Sequence, residues 1–175
     1  MAVDGPSGSG KTHFAARLAR ELGATVVSTD DFATWDDPVS WWPRLVEGVL
    51  RPIQDGRPGR YRMTEWIDGR PHPGAYRRVE VPEVLVVEGV SAGRQSITAL
   101  LSHLVWCELP DATARLDRAV ERDGEQARKH LLTWQDFERG WFAVDHTRAR
   151  ADQVGTPSDT ESLPAGTSRP STSTG

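Results

Sequence analysis

The 175-residue sequence contains no asparagine, one cysteine and only two lysines, Lys11 and Lys129. Without asparagine there is no Asn-Lys-x-Asp motif for reading guanine, which argues against a GTPase switch. The lone Cys107 permits neither an internal disulfide nor a cysteine metal cluster, and its apolar run Leu104-Val105-Trp106 reads as core. No apolar segment approaches the roughly 20 residues of a membrane span, and no secretory leader opens the chain. A cytoplasmic protein without a membrane partner is therefore expected. A net charge of −4 supplies no global basic field, so no nucleic-acid partner is expected either.

The scarcity of lysine makes position 11 informative. Arginine serves almost everywhere else a cation is needed, yet lysine stands in Gly5-Pro6-Ser7-Gly8-Ser9-Gly10-Lys11-Thr12, a phosphate-loop pattern G-x-x-x-x-G-K-[ST] without a mismatch. Ala2-Val3-Asp4 reads as a buried strand before the loop, and Thr12–Leu22 as a helix with Phe14, Leu18 and Leu22 on one face, closed by Gly23. The glycines let backbone N–H groups turn around a phosphate, and the helix start adds its positive dipole end. Lys11 is expected on the β- and γ-phosphates of ATP and Thr12 on Mg²⁺. Gly5, Ser7, Gly8, Ser9 and Gly10 complete the expected nucleotide contacts. Only Met1–Asp4 precede the loop, shorter than a usual central strand, so the natural start is expected a few codons upstream.

Ala24–Ser28 reads as a second buried strand that delivers Asp30 and Asp31 to its C-terminal end, the edge where open α/β sheets hold ligands. A carboxylate there can take the proton of a hydroxyl attacking the γ-phosphate. Asp30 is the expected base, because only one of the pair can point into the cleft; the bland alternative is a turn or helix cap. Ser40–Gln54 reads as a helix, with Trp41 and Trp42 as packing residues. Tyr61–Ile67 and Tyr76–Val81 read as hairpin strands around an Asp68-Gly69 turn signal, with 70–74 as loop. Val84–Glu88 is a third buried strand ending in an acid, expected to hold Mg²⁺ through water unless it merely caps the next segment. Leu104–Leu109 is a fourth strand. The next helix sets Arg115, Arg118 and Arg122 on one stripe, read as a lid on the transferring phosphoryl or, alternatively, a solvated face. Leu131–Val144 is a last amphipathic helix and Ala151–Val154 a weak fifth strand.

With these motifs placed, the chain resembles the uridine kinase-like P-loop kinases, relatives of phosphoribulokinase and bacterial pantothenate kinase. Asp30-Asp31-Phe32 resembles the family's Asp-x-Phe-Tyr, and Val87-Glu88-Gly89-Val90 its Glu-Gly-Ile strand end. Arg115-Leu116-Asp117-Arg118 with Arg122-Asp123 is similar to its lid, and His146–Asp152 to its Pro-Thr-Lys-x-x-Ala-Asp segment. The resemblance implies a five-stranded parallel sheet of order 2-3-1-4-5 with helices on both faces, and Asp30 as catalytic base. Ala33 stands where the family has Tyr. Tyr61 matches the family's hairpin Tyr, but Trp66 replaces the His that meets the pyrimidine base.

The expectation is one P-loop kinase domain over 1–155, with an acceptor hairpin at about 61–81, a lid at about 115–130 and a disordered Ser/Thr/Pro-rich tail over 156–175. It would pass the γ-phosphoryl of ATP to a small-molecule hydroxyl, uridine or cytidine first, with Asp30, Lys11 and Arg118 catalytic. Asp30, Tyr61, Trp66 and Arg115 would meet the acceptor, Arg115 and Arg122 the nucleotide, and Thr12 and Glu88 the metal. Alternatives are a nucleoside monophosphate kinase, for which Arg44, Arg51 and Arg62 could grip an acceptor phosphate, or a non-catalytic ATP-binding regulatory module. The reading leaves room for a homo-oligomer.

Overall fold

The computed structural model describes residues 1–156; the expected tail lies, from position 157 onward, outside the described residues. Five short strands build a parallel sheet: β1 (Ala2–Asp4), β2 (Thr25–Ser28), β5 (Leu85–Glu88), β6 (Leu104–Cys107) and β7 (Gln153–Gly155). Their spatial order is β2-β5-β1-β6-β7. The label differs from the expected 2-3-1-4-5 because the hairpin strands β3 (Gly59–Ile67) and β4 (Arg70–Val79) take two numbers in the chain while pairing only with each other.

Both faces of the sheet are covered, which explains the near-continuous apolar strands. Alternate residues point to opposite layers. Val3, Val86 and Val105 face α1 (Lys11–Leu22) and pack with Phe14, Ala15 and Leu18. Ala2, Val27, Val87 and Leu104 face the other way, into a cluster containing Phe32, Trp41, Trp42, Leu45, Val49 and Tyr61. Here four aromatic rings stack in series: Tyr61 on Phe32 at 4.6 Å, Phe32 on Trp41 at 5.3 Å, and Trp41 on Trp42 at 5.4 Å. The two tryptophans are packing residues, as their position at a helix start suggests.

The segment expected as one helix is three pieces in line: α2 (Trp42–Leu45), a π-turn over Val46–Leu50 and α3 (Arg51–Gln54). Pro52 has no N–H to return to Gly48, so a regular α ladder cannot run through this point. The hairpin is longer than expected. Its Asp68-Gly69 turn has φ of 50° and 71°, the doubly positive pair of a tight two-residue turn, and residues 70–74, expected as loop, form the start of β4. Pro71 and Pro73 are tolerated because this ribbon has free edges.

Beyond β6, Asp111 caps α4 (Ala112–Asp123) by accepting the N–H groups of Thr113 and Ala114. A short 3₁₀ turn over Glu125–Ala127 leads into α5 (Arg128–Asp145), then α6 (Thr147–Arg150) and β7. Leu116 and Ala119 of α4 pack on Leu131 of α5, joining the expected lid to the last long helix.

Trp41 is 2% exposed in the middle of the ring series. Trp41→Ala should lower unfolding free energy by about 3–5 kcal/mol, read as a reduced midpoint in urea with an unchanged slope.

Candidate nucleotide and acceptor site

The strand register gathers the chemistry at one edge. Glu88 pairs with Ser28 on one side and Val3 on the other, so the ends of β2, β5 and β1 stand level where the phosphate loop begins. Asp4, fully buried, accepts the N–H of Gly5 at 2.7 Å, Ser91 at 3.1 Å and Gly93 at 2.8 Å, tying the loop to the segment after β5. Burial pushes its carboxyl from an ordinary 3.8 up to about 7, against the pull of the three N–H donors and Lys11.

The loop itself needs its glycines. Gly8 has a φ of +75°, and a Cβ there would lie 2.4 Å from the Arg115 carbonyl oxygen. The first turn of α4 therefore rests directly on the loop. Ser7, Gly8, Gly10, Lys11 and Thr12 line a cavity of about 1100 Å³. Gly5 and Ser9 do not; both are buried, and Ser9 Oγ has no hydrogen-bond partner among the described residues. Lys11 is 8% exposed, and its Nζ donates to the Pro6 carbonyl at 2.9 Å.

Glu88 is 3% exposed, accepts the Ser28 hydroxyl at 2.7 Å, and has Thr12 Oγ1 at 3.4 Å from its other oxygen. Burial raises its carboxyl above the usual range. Ser28 in turn accepts the Asp30 backbone N–H at 3.3 Å, so one hydroxyl orients both acids. Thr12 and Glu88 form a hard-oxygen pair suited to Mg²⁺, which takes few protein ligands and completes its shell with water and phosphate. Among the described residues there is no group of three or more His, Cys, Asp or Glu that could hold a metal ion.

Asp30 is exposed and lines the cavity. Asp31 turns away, accepting the Tyr61 hydroxyl and the Arg77 guanidinium. Tyr61, expected at the acceptor, is 3% exposed, outside the cavity lining, and engaged in this Asp31–Arg77 cluster. Its phenol is pushed upward by burial and by Asp31. Arg115, expected on both nucleotide and acceptor, instead bends back to the carbonyls of Leu109 and Pro110 and is absent from the cavity lining. The stripe spacing placed it on the correct helix face but one turn too close to the helix root.

Arg118 and Arg122 do line the cavity. Arg122 is held by both Asp123 oxygens, at 2.6 and 2.7 Å, whereas Arg118 is exposed and makes no hydrogen bond or ion pair within the described residues. Trp66 also lines the cavity, with three residues that the sequence did not single out as site residues: Trp35, Trp134 and His130. Trp35 sits at their centre, stacked on His130 at 4.9 Å, edge-on to Trp66 and Trp134, its indole N–H donated to the Gly69 carbonyl at 2.9 Å. Ser28, Asp4 and Glu138 were also missed. A hydroxyl one residue before Thr29-Asp30 was a usable sign for Ser28; nothing local marks Glu138.

A parallel sheet of this order, with a glycine-rich loop feeding a helix N-terminus and a strand-end acid beside it, defines a P-loop nucleotide-binding protein. A family described as an AAA domain matches residues 1–98, and the chain belongs to that family. No curated protein matches the sequence. Among solved structures, one described as a possible uridine kinase from Bacillus stearothermophilus superposes with a TM-score of 0.59 at 18% identity, over 87% of this chain and 85% of its own. At that identity the likeness establishes a shared fold. The YGR205w protein aligns at 0.48 and 14% identity, over 82% and 76% of the two chains. A D-glycerate 3-kinase from Cryptococcus neoformans var. grubii aligns at 0.40 and 16%, over 87% of this chain and 61% of the enzyme. Among the described residues, no helix is long and apolar enough to cross a membrane.

Asp4 makes stability depend on pH. Its carboxyl ionises more readily in the unfolded chain than in the fold, so its effect is to reduce stability progressively as pH rises from about 4 to about 7, by a few kcal/mol in total. Asp4→Asn cannot titrate. The melting-temperature advantage of wild type over this variant should therefore shrink across that interval and level off above it; Glu88 and Glu138 titrate in both proteins and cancel.

Proposed function

We propose that the protein is an ATP- and Mg²⁺-dependent small-molecule kinase that phosphorylates a hydroxyl. The observation carrying this reading is that one cavity is lined by the phosphate loop, Arg118 and Arg122 together with Asp30, Trp35 and Trp66. Donor and acceptor groups thus share one space, as phosphoryl transfer requires. The name given to the Bacillus stearothermophilus structure is in keeping with it.

In this mechanism Asp30 accepts the proton of the attacking hydroxyl. Lys11 exchanges the Pro6 carbonyl for phosphate oxygens, the loop N–H groups of residues 8–12 surround the phosphates, and the unpaired Arg118 stabilises charge on the transferring group. Thr12 and Glu88 would hold Mg²⁺, which supplies charge neutralisation on the phosphates when bound. Trp66 and Trp35 offer apolar ring surface to a flat acceptor, and a pyrimidine nucleoside, uridine or cytidine, is the leading candidate. The monophosphate-kinase alternative has less support: Arg44 is bound to the carbonyls of Phe32 and Arg62, Arg51 to Glu47, and Arg62 to the Gly74 carbonyl, and none of the three lines the cavity.

ADP release from Mg²⁺·ATP should be stimulated by a hydroxyl acceptor from a panel of nucleosides, pantothenate, glycerate and nucleoside monophosphates. Asp30→Asn should lose about 10²–10⁴ of that stimulated rate while binding ATP normally. Stimulation by monophosphates alone would replace the hydroxyl reading; stimulation undiminished in the variant would remove Asp30 as base.

A further inference from the structure

The phosphate loop is held from behind by a residue far away in the chain. Glu138 lies midway along α5, 2% exposed, and accepts the Ser7 backbone N–H at 3.0 and 3.1 Å as well as the Ser7 hydroxyl. Among the described residues it forms no ion pair within 4.0 Å. Burial raises its carboxyl above the usual range, opposed by Lys11, the two Ser7 donors and the Trp134 indole. Burying an acid outside any ion pair is costly, even where a nearby lysine offsets part of the cost. A leucine at this point of an amphipathic helix would pack without that cost, so what the carboxylate contributes is its hydrogen bonding, chiefly to Ser7 and also to the Trp134 indole.

We propose that Glu138 is a positioning residue for nucleotide binding: it clamps the crest of the phosphate loop through Ser7, so that the next N–H groups, residues 8–12, converge on the phosphates. The inference rests on reading the loop as a nucleotide site. Ser7 lines the cavity whereas Glu138 does not, which puts the carboxylate behind the loop, on the side away from the ligand. Both Ser7 protons available for hydrogen bonding point to Glu138, so this residue is fixed before any ligand arrives. α5 also supplies His130, Leu131 and Trp134 to the cavity wall. One helix therefore sets the loop at its middle and shapes the acceptor side near its start.

The test needs no knowledge of the acceptor. Calorimetric titration of Mg²⁺·ADP and Mg²⁺·ATP into the full chain would compare wild type with Glu138→Gln, Ser7→Ala and the double variant. Glu138→Gln should weaken nucleotide binding about tenfold, and Ser7→Ala about threefold to tenfold, since hydrogen bonds to a charged acceptor are involved. The double variant should be weaker than Glu138→Gln alone by less than the product of the single losses, because the hydroxyl bond that Ser7→Ala removes is part of the contact that Glu138→Gln weakens, while the Ser7 N–H remains in both. Should Glu138→Gln fail to fold, Ser7→Ala tests the same contact from the loop without touching the helix. Affinities within twofold of wild type, or losses that multiply in the double variant, would overturn the clamp while leaving the nucleotide reading intact. A wild-type chain that binds neither nucleotide would overturn both.

Discussion

The phosphate loop is built around one buried ammonium whose charge is felt by three buried acids. Lys11 is almost covered, and its charge acts on Asp4, Glu88 and Glu138, which are themselves 0%, 3% and 2% exposed. All three carboxyls are raised by burial, and Lys11 is the one cation that opposes the rise in each of them. The arrangement surrounds the phosphate loop with acids, on the strand before it, the strand beside it and the helix behind it. A polyanion entering such a place would be repelled by ionised carboxylates unless the loop N–H groups, Lys11, the lid arginines and a divalent ion together outweighed them. Under the proposed function, attraction for phosphate would come from aimed dipoles and a few fixed cations, within a chain whose overall charge is negative.

Around this centre the other elements divide the labour. The stacked series from Tyr61 through Phe32 and Trp41 to Trp42 fastens the hairpin and the 42–54 segment onto the sheet. At its far end Trp42 meets Arg94, whose guanidinium lies 5.1 Å from both the Trp42 and Trp141 rings, reaching α5. Asp31 and Arg77 lock Tyr61 at the near end. Asp30 is left as the exposed member of its pair, oriented through its backbone by Ser28 while its side chain stays available. Fixed neighbours with one unencumbered acid are what the proposed role of Asp30 as general base would need.

The phosphate loop, the strand ends carrying Asp30 and Glu88, and the doubly covered sheet were legible because each is written locally: glycine spacing, β-branched runs, and an acid at the end of a strand. Prolines made 70–74 look like a loop, although an unshared ribbon edge accepts them. Tyr61 and Arg115 were misplaced for different reasons. The phenol's partners lie 30 and 16 residues away in sequence, beyond any spacing rule. Helical periodicity tells which side of α4 Arg115 occupies, but not that the root of the helix is pressed onto Gly8. Glu138 was invisible because its meaning depends on Ser7, 131 positions earlier. The aromatic wall of Trp35, Trp134 and His130 likewise exists only once α5 folds back over the loop after β2.

The burial of Lys11 also bears on how such a chain could change over generations. Replacing Lys11 by a neutral residue would take from three enclosed carboxyls a positive charge that offsets part of their burial cost. The lysine of the motif therefore has a part in the fold's own charge balance, apart from any ligand. Asp30 has no such second duty: its side chain carries no bond that the architecture requires. If Asp30 is the proposed base, position 30 is where activity and fold can part company, and a lineage drifting toward a purely binding role would be expected to show it there first.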